Sequence, residues 1–188
     1  MRQLENDPAF ALRKAEQEQQ LAEREAESRK EQGALLRDLA AVGVNVSTVW
    51  DLVNSSASYT AAVPILLDHL KRPYSDGTRE GLARALAVRT TRPLGWNVLI
   101  DEFEKTDSSN KRVKDGLAVA LAGASDDDVI PELIKLAKDR RHGTSRVLLL
   151  LGIKRSKSPV AMRAIKQLAD DPELSKEIRS WRRSKRSL

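Results

Sequence analysis

From Pro8 to Gln32 the chain is built of Glu, Gln, Arg and Lys with few apolar positions, and its charges recur three or four residues apart, as in Lys14/Glu18, Glu25/Arg29 and Glu27/Lys30. Side chains at that spacing are neighbours on a helix surface, so the pattern predicts a helix that carries its own stabilising pairs. A heptad read from Leu12 passes through Ala15, Gln19, Ala22, Ala26 and Arg29, a poor seam for a coiled coil. Residues 1–33 therefore read as a charged, solvated helical arm, with a partner-binding or self-associating arm as the alternative. After Gly33 the pattern changes: Leu35, Leu36, Leu39 and Val42 fall at helical spacing, and Gly43 offers a stop. A short second helix follows, with Ser47 as a side-chain acceptor at its start and Val49, Trp50, Leu52 and Val53 as its apolar face. Asn54 to Ser58 is a polar loop.

Beyond Tyr59 the pattern repeats. Gly81-Leu82-Ala83-Arg84-Ala85-Leu86-Ala87 returns 35 residues later as Gly116-Leu117-Ala118-Val119-Ala120-Leu121-Ala122, identical at six of seven positions. Val63-Pro64-Ile65-Leu66-Leu67 returns as Ile130-Pro131-Glu132-Leu133-Ile134, and Trp96, Leu99, Ile100 and Phe103 hold the place between them. Each unit reads as two helices joined by a polar turn. Ser75-Asp76-Gly77-Thr78, Asp107-Ser108-Ser109-Asn110 and Ser125-Asp126-Asp127-Asp128 supply capping side chains. Pro64, Pro93, Pro131, Pro159 and Pro172 lie near helix starts, where the missing N–H costs nothing. Val147, Leu150, Leu151 and Gly152 align with Leu82, Ala85, Leu86 and Ala87 when the third unit is shortened by about five residues. A fourth unit, Val160–Leu168 and Leu174–Trp181, closes the array before a basic tail at 182–188.

Paired helices with a Val/Ile-Pro-x-Leu-Leu/Ile first helix, an Asp-containing turn and an Arg-x-x-Ala-x-x-Ala-Leu second helix resemble HEAT repeats, above all the short HEAT-like units of bacterial proteins. The resemblance covers Tyr59 to Trp181, with the Leu35–Val53 helices as a degenerate first unit. It departs from the pattern at Pro93-Leu94-Gly95-Trp96, where no matching proline motif is read, and in the Leu35 helix, which has none. The fold it implies is an all-α HEAT-like α-solenoid of about four helical hairpins over 34–181. Stacked hairpins bury between them the apolar stripe that one hairpin cannot bury alone. Gly81/Ala85 and Gly116/Ala120, four residues apart, let neighbouring helices approach. The resemblance further implies that Asp76, Arg79, Asp107, Arg112, Asp139 and Arg146 bridge adjacent units, which leaves Arg84, Lys111 and Lys114 free on the concave side.

Few chemistries remain open. Without cysteine there is no disulfide, thiolate metal site or cysteine nucleophile. His69 and His142 each lack a second ligand at metal-binding spacing, and no phosphate-binding glycine loop or nucleophile elbow occurs. No cofactor or metal is expected. Asp101, Glu102 and Glu104 share a helix with Trp96 and Phe103, the one arrangement that resembles an active site, and HEAT-like alkylpurine DNA glycosylases do combine carboxylates with aromatics. A solvated acidic face explains the same residues. Asp126, Asp127 and Asp128 suit a helix N-terminus, and Trp50, Trp96 and Trp181 sit at apolar helix positions.

The arm through Gly33 has six cations and eight anions, so it is −2 and the remainder is +8, for the chain's net +6. Cations gather at Arg140-Arg141-His142, at Lys154-Arg155-Ser156-Lys157, and at Arg179, Arg182, Arg183, Lys185 and Arg186. They read either as phosphate contacts or as solvated surface. The segment after Met1 is charged, and the longest apolar run, Val147 to Ile153, is about a third of a membrane span. The expectation is a cytoplasmic, non-enzymatic protein-interaction module, an adaptor, regulator or inhibitor, that uses Arg84, Lys111, Lys114, Arg182, Arg183, Lys185 and Arg186 toward a protein partner. The alternative is a nucleic-acid-binding protein using the basic C-terminal half, with glycosylase chemistry as its extreme.

Overall fold

The computed structural model describes residues 8–184, and the regular structure among them is entirely helical. The first helix, α1 (Pro8–Glu31), is separated from α2 (Gly33–Ala41) by the single residue Gln32. The break between them falls at Gln32, which is fully buried, and whose carboxamide donates to Ser28 and Thr78 and accepts the Val49 N–H. Gly43, at φ +80°, ends α2 as expected, with the Val44 N–H reaching back to the Leu39 carbonyl.

Four helix pairs then follow α3 (Val49–Val53): α4 (Val63–Leu70) with α5 (Asp76–Ala85), α6 (Arg92–Lys105) with α7 (Lys111–Ala124), α8 (Ile130–Lys138) with α9 (Arg146–Arg155), and α10 (Pro159–Leu168) with α11 (Ser175–Ser184). The members of each pair pack on each other, and successive pairs stack in chain order. The second helices form one row, α3 on α5 on α7 on α9; in the other, α2 packs on α4, α4 on α6, and α8 on α10. Trp96 joins α6 to α8 by donating its indole N–H to Glu132.

Local chemistry explains the starts. Ser75, Asn110 and Ser158 accept the Thr78, Val113 and Ala161 N–H groups at the heads of α5, α7 and α10. At α3 the acceptor is the Asp51 carboxylate, which takes the Ser47 and Thr48 N–H groups, so Ser47 serves through its backbone and not through its hydroxyl. A 3-10 turn leads into α4, α6 and α8 alike, and proline is the second residue of each. Pro93 is therefore the counterpart of Pro64 and Pro131 after all. It stands six residues ahead of the 35-residue period because α6 has 14 residues against 8 in α4 and extends at its N-terminal end.

Burial corrects the register of α9 as well. Leu149, Gly152 and Ile153 are buried where Leu82, Ala85 and Leu86 are, whereas Leu151 is 48% exposed. The matched shift is 67 residues, the same as from Val63 to Ile130, so the third unit is shortened by three residues and not five. Small residues set the spacing of the second row. A Cβ on Gly123 would stand 2.4 Å from the Ala87 carbonyl oxygen, and one on Gly116 3.1 Å from that of Glu80.

Candidate functional site

The second row presents an outward strip of positions spaced four apart: Glu80 and Arg84 on α5, Lys111, Asp115 and Val119 on α7, and Val147 and Leu151 on α9. Its cations are not free. Glu80 accepts from Arg84 on its own helix at 2.8 Å and from Arg112 of the next helix at 2.5 Å. Asp115 pairs with Lys111 and also accepts the Ser145 hydroxyl at 2.6 Å, tying α7 to the turn before α9. Both carboxylates are largely covered, at 12% and 19% exposure. The strip thus begins as a neutralised charge network and ends in Val119 and Val147, both half-buried, and the exposed Leu151. Sequence reasoning passed over Glu80 and Asp115. The signal was present, since each acid directly precedes the repeated Gly-Leu-Ala segment.

Lys114, expected to be free beside them, is buried at 2% exposure. Its ammonium donates to the Phe103 carbonyl at 2.8 Å and to the Thr106 carbonyl, and lies 4.6 Å from the Phe103 ring. These are orphan acceptors at the end of α6, where the helix dipole favours a cation. Burial lowers the Lys114 pKa. Arg146 occupies the corresponding place in α9. It is 1% exposed and donates to the Ala137 carbonyl at the end of α8 and to Asp171 and Glu173 in the turn before α11. Burial opposes its charge, but the two carboxylates outweigh that and raise its pKa.

The other predicted bridging residues divide. Arg79 reaches Glu102 of α6 at 3.1 Å, Arg112 reaches Glu80, and Asp76 accepts from Asn110 at 2.8 Å, all across successive pairs. Asp107 and Asp139 stay within their own loops, with Asp107 accepting the Ser109 N–H and Asp139 gripping Arg141. In the tail, the backbones of Arg182 and Arg183 continue α11, while Lys185 and Arg186 lie outside the described residues.

Neither histidine is assembled into a metal site. His69 is buried between Tyr74 at 2.7 Å and Asp38 at 2.9 Å. His142 packs on Phe103 with ring centroids 4.6 Å apart and lines, with Thr106, Asp107, Ser108 and Lys114, a polar cavity of about 310 Å³. Its Nε2 has no hydrogen-bond partner, and burial followed by the Lys114 charge lowers its pKa. The acidic and aromatic residues of α6 do not converge: Phe103 is fully buried, Glu102 is held by Arg79, and Asp101 is exposed. Among the described residues no group of three acids or histidines is placed to hold a metal, and no helix is long and apolar enough to cross a membrane. Comparison with protein-family models, with curated proteins and with solved structures finds no match.

Proposed function

We propose that the chain is a HEAT-type α-solenoid acting as a non-enzymatic interaction module, and that it takes a protein segment along the second-helix row, which such an array turns toward its concave side. The single observation that carries this reading is the composition of the strip. A phosphate-reading groove needs cations left over for the ligand, and here Arg84, Arg112 and Lys111 are committed to Glu80 and Asp115. What remains open is apolar, Val119, Val147 and Leu151, next to a satisfied polar network. That composition matches a protein interface, with apolar anchors beside a hydrogen-bonded polar surround. The nearest-neighbour stacking of helix pairs supports the array.

Site-specific photocrosslinking in cells tests it, with a benzophenone amino acid at Leu151 in one strain and at Lys135, on the opposite row, in another. The expected outcome is a discrete protein adduct from Leu151 that disappears when Val147→Glu is added, together with none of that size from Lys135. Identical adducts from both positions, or an adduct indifferent to Val147→Glu, would sink the docking strip.

A further inference from the structure

The charges that the second row neutralises are left unneutralised elsewhere. Residues 1–129 hold 17 Lys and Arg against 21 Asp and Glu, whereas residues 130–188 hold 16 against 6. The six acids of the latter segment are almost all spent internally. Glu132 accepts the Trp96 indole N–H and Glu177 that of Trp181; Asp139 holds Arg141; Asp171 and Glu173 hold Arg146. Of these six acids, Asp170 alone has a carboxylate with no bonded partner among the described residues.

The cations are distributed in the opposite way. Lys135 and Lys138 stand one turn apart on α8, and Arg163 and Lys166 one turn apart on α10. All four are exposed, and none has a carboxylate within 4.0 Å among the described residues. The two helices pack on each other, and Lys138 donates to Gln167 of α10 at 3.0 Å, so the four belong to one continuous face of the first-helix row. Packed helix axes lie roughly 8–10 Å apart, which sets two short rows of positive charge side by side, with Arg140 at their margin. Arg140 is 76% exposed, with Asp171 3.5 Å away.

We infer that this α8–α10 face is a binding site for the phosphate backbone of a nucleic-acid duplex, independent of the protein-docking strip on the other row. Neighbouring rows of cations without carboxylate partners can contact phosphates on the two strands that border a groove, and such contacts need no reading of bases. Single strands fit less well, since they are held by exposed aromatic platforms. The aromatic side chain in this part of the molecule, Trp181, lies beneath Lys154 with its N–H bonded to Glu177. An anionic membrane would need an unburied apolar helix face to insert, but α10 spends Ala161, Ala164 and Leu168 on the interior and α11 spends Leu174 and Ile178. The large hydrophobic side chains that α10 leaves exposed are Val160 and Met162.

Fluorescence anisotropy with a labelled 20-base-pair duplex of mixed sequence, titrated from 50 to 200 mM KCl, tests the site on the full chain. The native chain is compared with K135Q/K138Q/R163Q/K166Q, with a control that removes equal charge from the N-terminal part of the array (R37Q/K71Q/R89Q/K105Q), and with a tail variant (R182Q/R183Q/K185Q/R186Q). The patch variant is expected to lose at least tenfold in affinity, with its salt slope shallower by about 0.9 for each phosphate no longer neutralised. The control and tail variants are expected to stay within threefold of native. A charge-preserving K135R/K138R/R163K/K166R variant should bind like the native chain. The inference is overturned if the patch variant binds within threefold of native, if the control loses as much as the patch, or if the tail variant alone abolishes binding. It is equally overturned if a 20-nucleotide single strand or phosphatidylserine vesicles compete more strongly than the duplex. Val147→Glu should leave duplex binding unchanged, so that failure of the docking strip and failure of this site are read separately.

Discussion

His142 is a buried imidazole enclosed by charge. Lys114 approaches from α7, Asp139 and Arg141 from its own turn, and Glu104 from α6. Burial, then the Lys114 ammonium, lowers its pKa from 6.5, so on acidification the unfolded chain binds this proton first. Stability contributed by the neutral ring is therefore fully present above about pH 6.5 and is lost as pH falls from there toward the lower folded value. We expect urea denaturation of His142→Gln to show a weaker pH dependence than the native chain between pH 7.5 and 5. The stability gap between the two proteins should narrow as the medium becomes more acidic. A constant gap would mean that the proton on His142 is bound equally well by both states. Glu31 shifts in the acid direction as well: burial works against its charge, but bonds from Thr78 and Ser75 hold its carboxyl below the usual range, so its contribution is lost at still lower pH. At this scale the letters are weak guides. Lys111 and Lys114 are three residues apart in one helix, yet one is exposed and the other seals the end of α6. What separates them is which side of α7 faces the preceding helix, and only the packed arrangement decides that.

Among the elements, proline and capping positions were legible because each acts locally: Pro at the second helical residue and Ser, Asn or Asp at the cap work through the first turn alone. Lengths were not legible, because a helix extends as far as its neighbour offers cover. The six additional residues of α6 hid Pro93 from the repeat, and the sequence pattern sets Gly152 against Ala87, whereas burial of Leu149 and Ile153 sets it against Ala85. The small residues of the second row give a test at this scale. An alanine at a helical glycine ordinarily stabilises by about 1 kcal/mol. At Gly123 the added carbon would meet the backbone of Ala87 at 2.4–2.8 Å, and backbone cannot step aside. Gly123→Ala is expected to destabilise by about 1–3 kcal/mol, while Gly33→Ala, whose nearest neighbour is the Arg37 side chain at 3.7 Å, should be neutral or stabilising. Urea midpoints for the two variants moving in the same direction would show that the α5–α7 spacing is not set by Gly123.

For the molecule as a whole, the all-helical class and the paired, punctuated units were readable from periodicity, and the basic C-terminal half from counting. The placement of charge was not readable, since it depends on which carboxylates are consumed in the interior. Proposed as an array, the molecule has two rows with different surfaces: one closed by ion pairs and ending in apolar side chains, the other carrying unpaired cations at its C-terminal end. A module of that kind suits joining a protein to a polyanion, and the arrangement has an energetic consequence. Uncompensated like charges repel one another and weaken the folded state, most strongly where salt is low. If Lys135, Lys138, Arg163 and Lys166 are held for a ligand and not for stability, replacing all four by glutamine should raise the melting temperature in 20 mM salt. A gain of about 1 kcal/mol corresponds to roughly 2–4 °C for a chain of this size. The difference should vanish in 0.5 M salt, where the repulsion is screened, and adding duplex to the native chain at low salt should reverse the order of the two proteins. A lower melting temperature for the variant at both salt concentrations would instead make these four residues part of what holds α8 against α10.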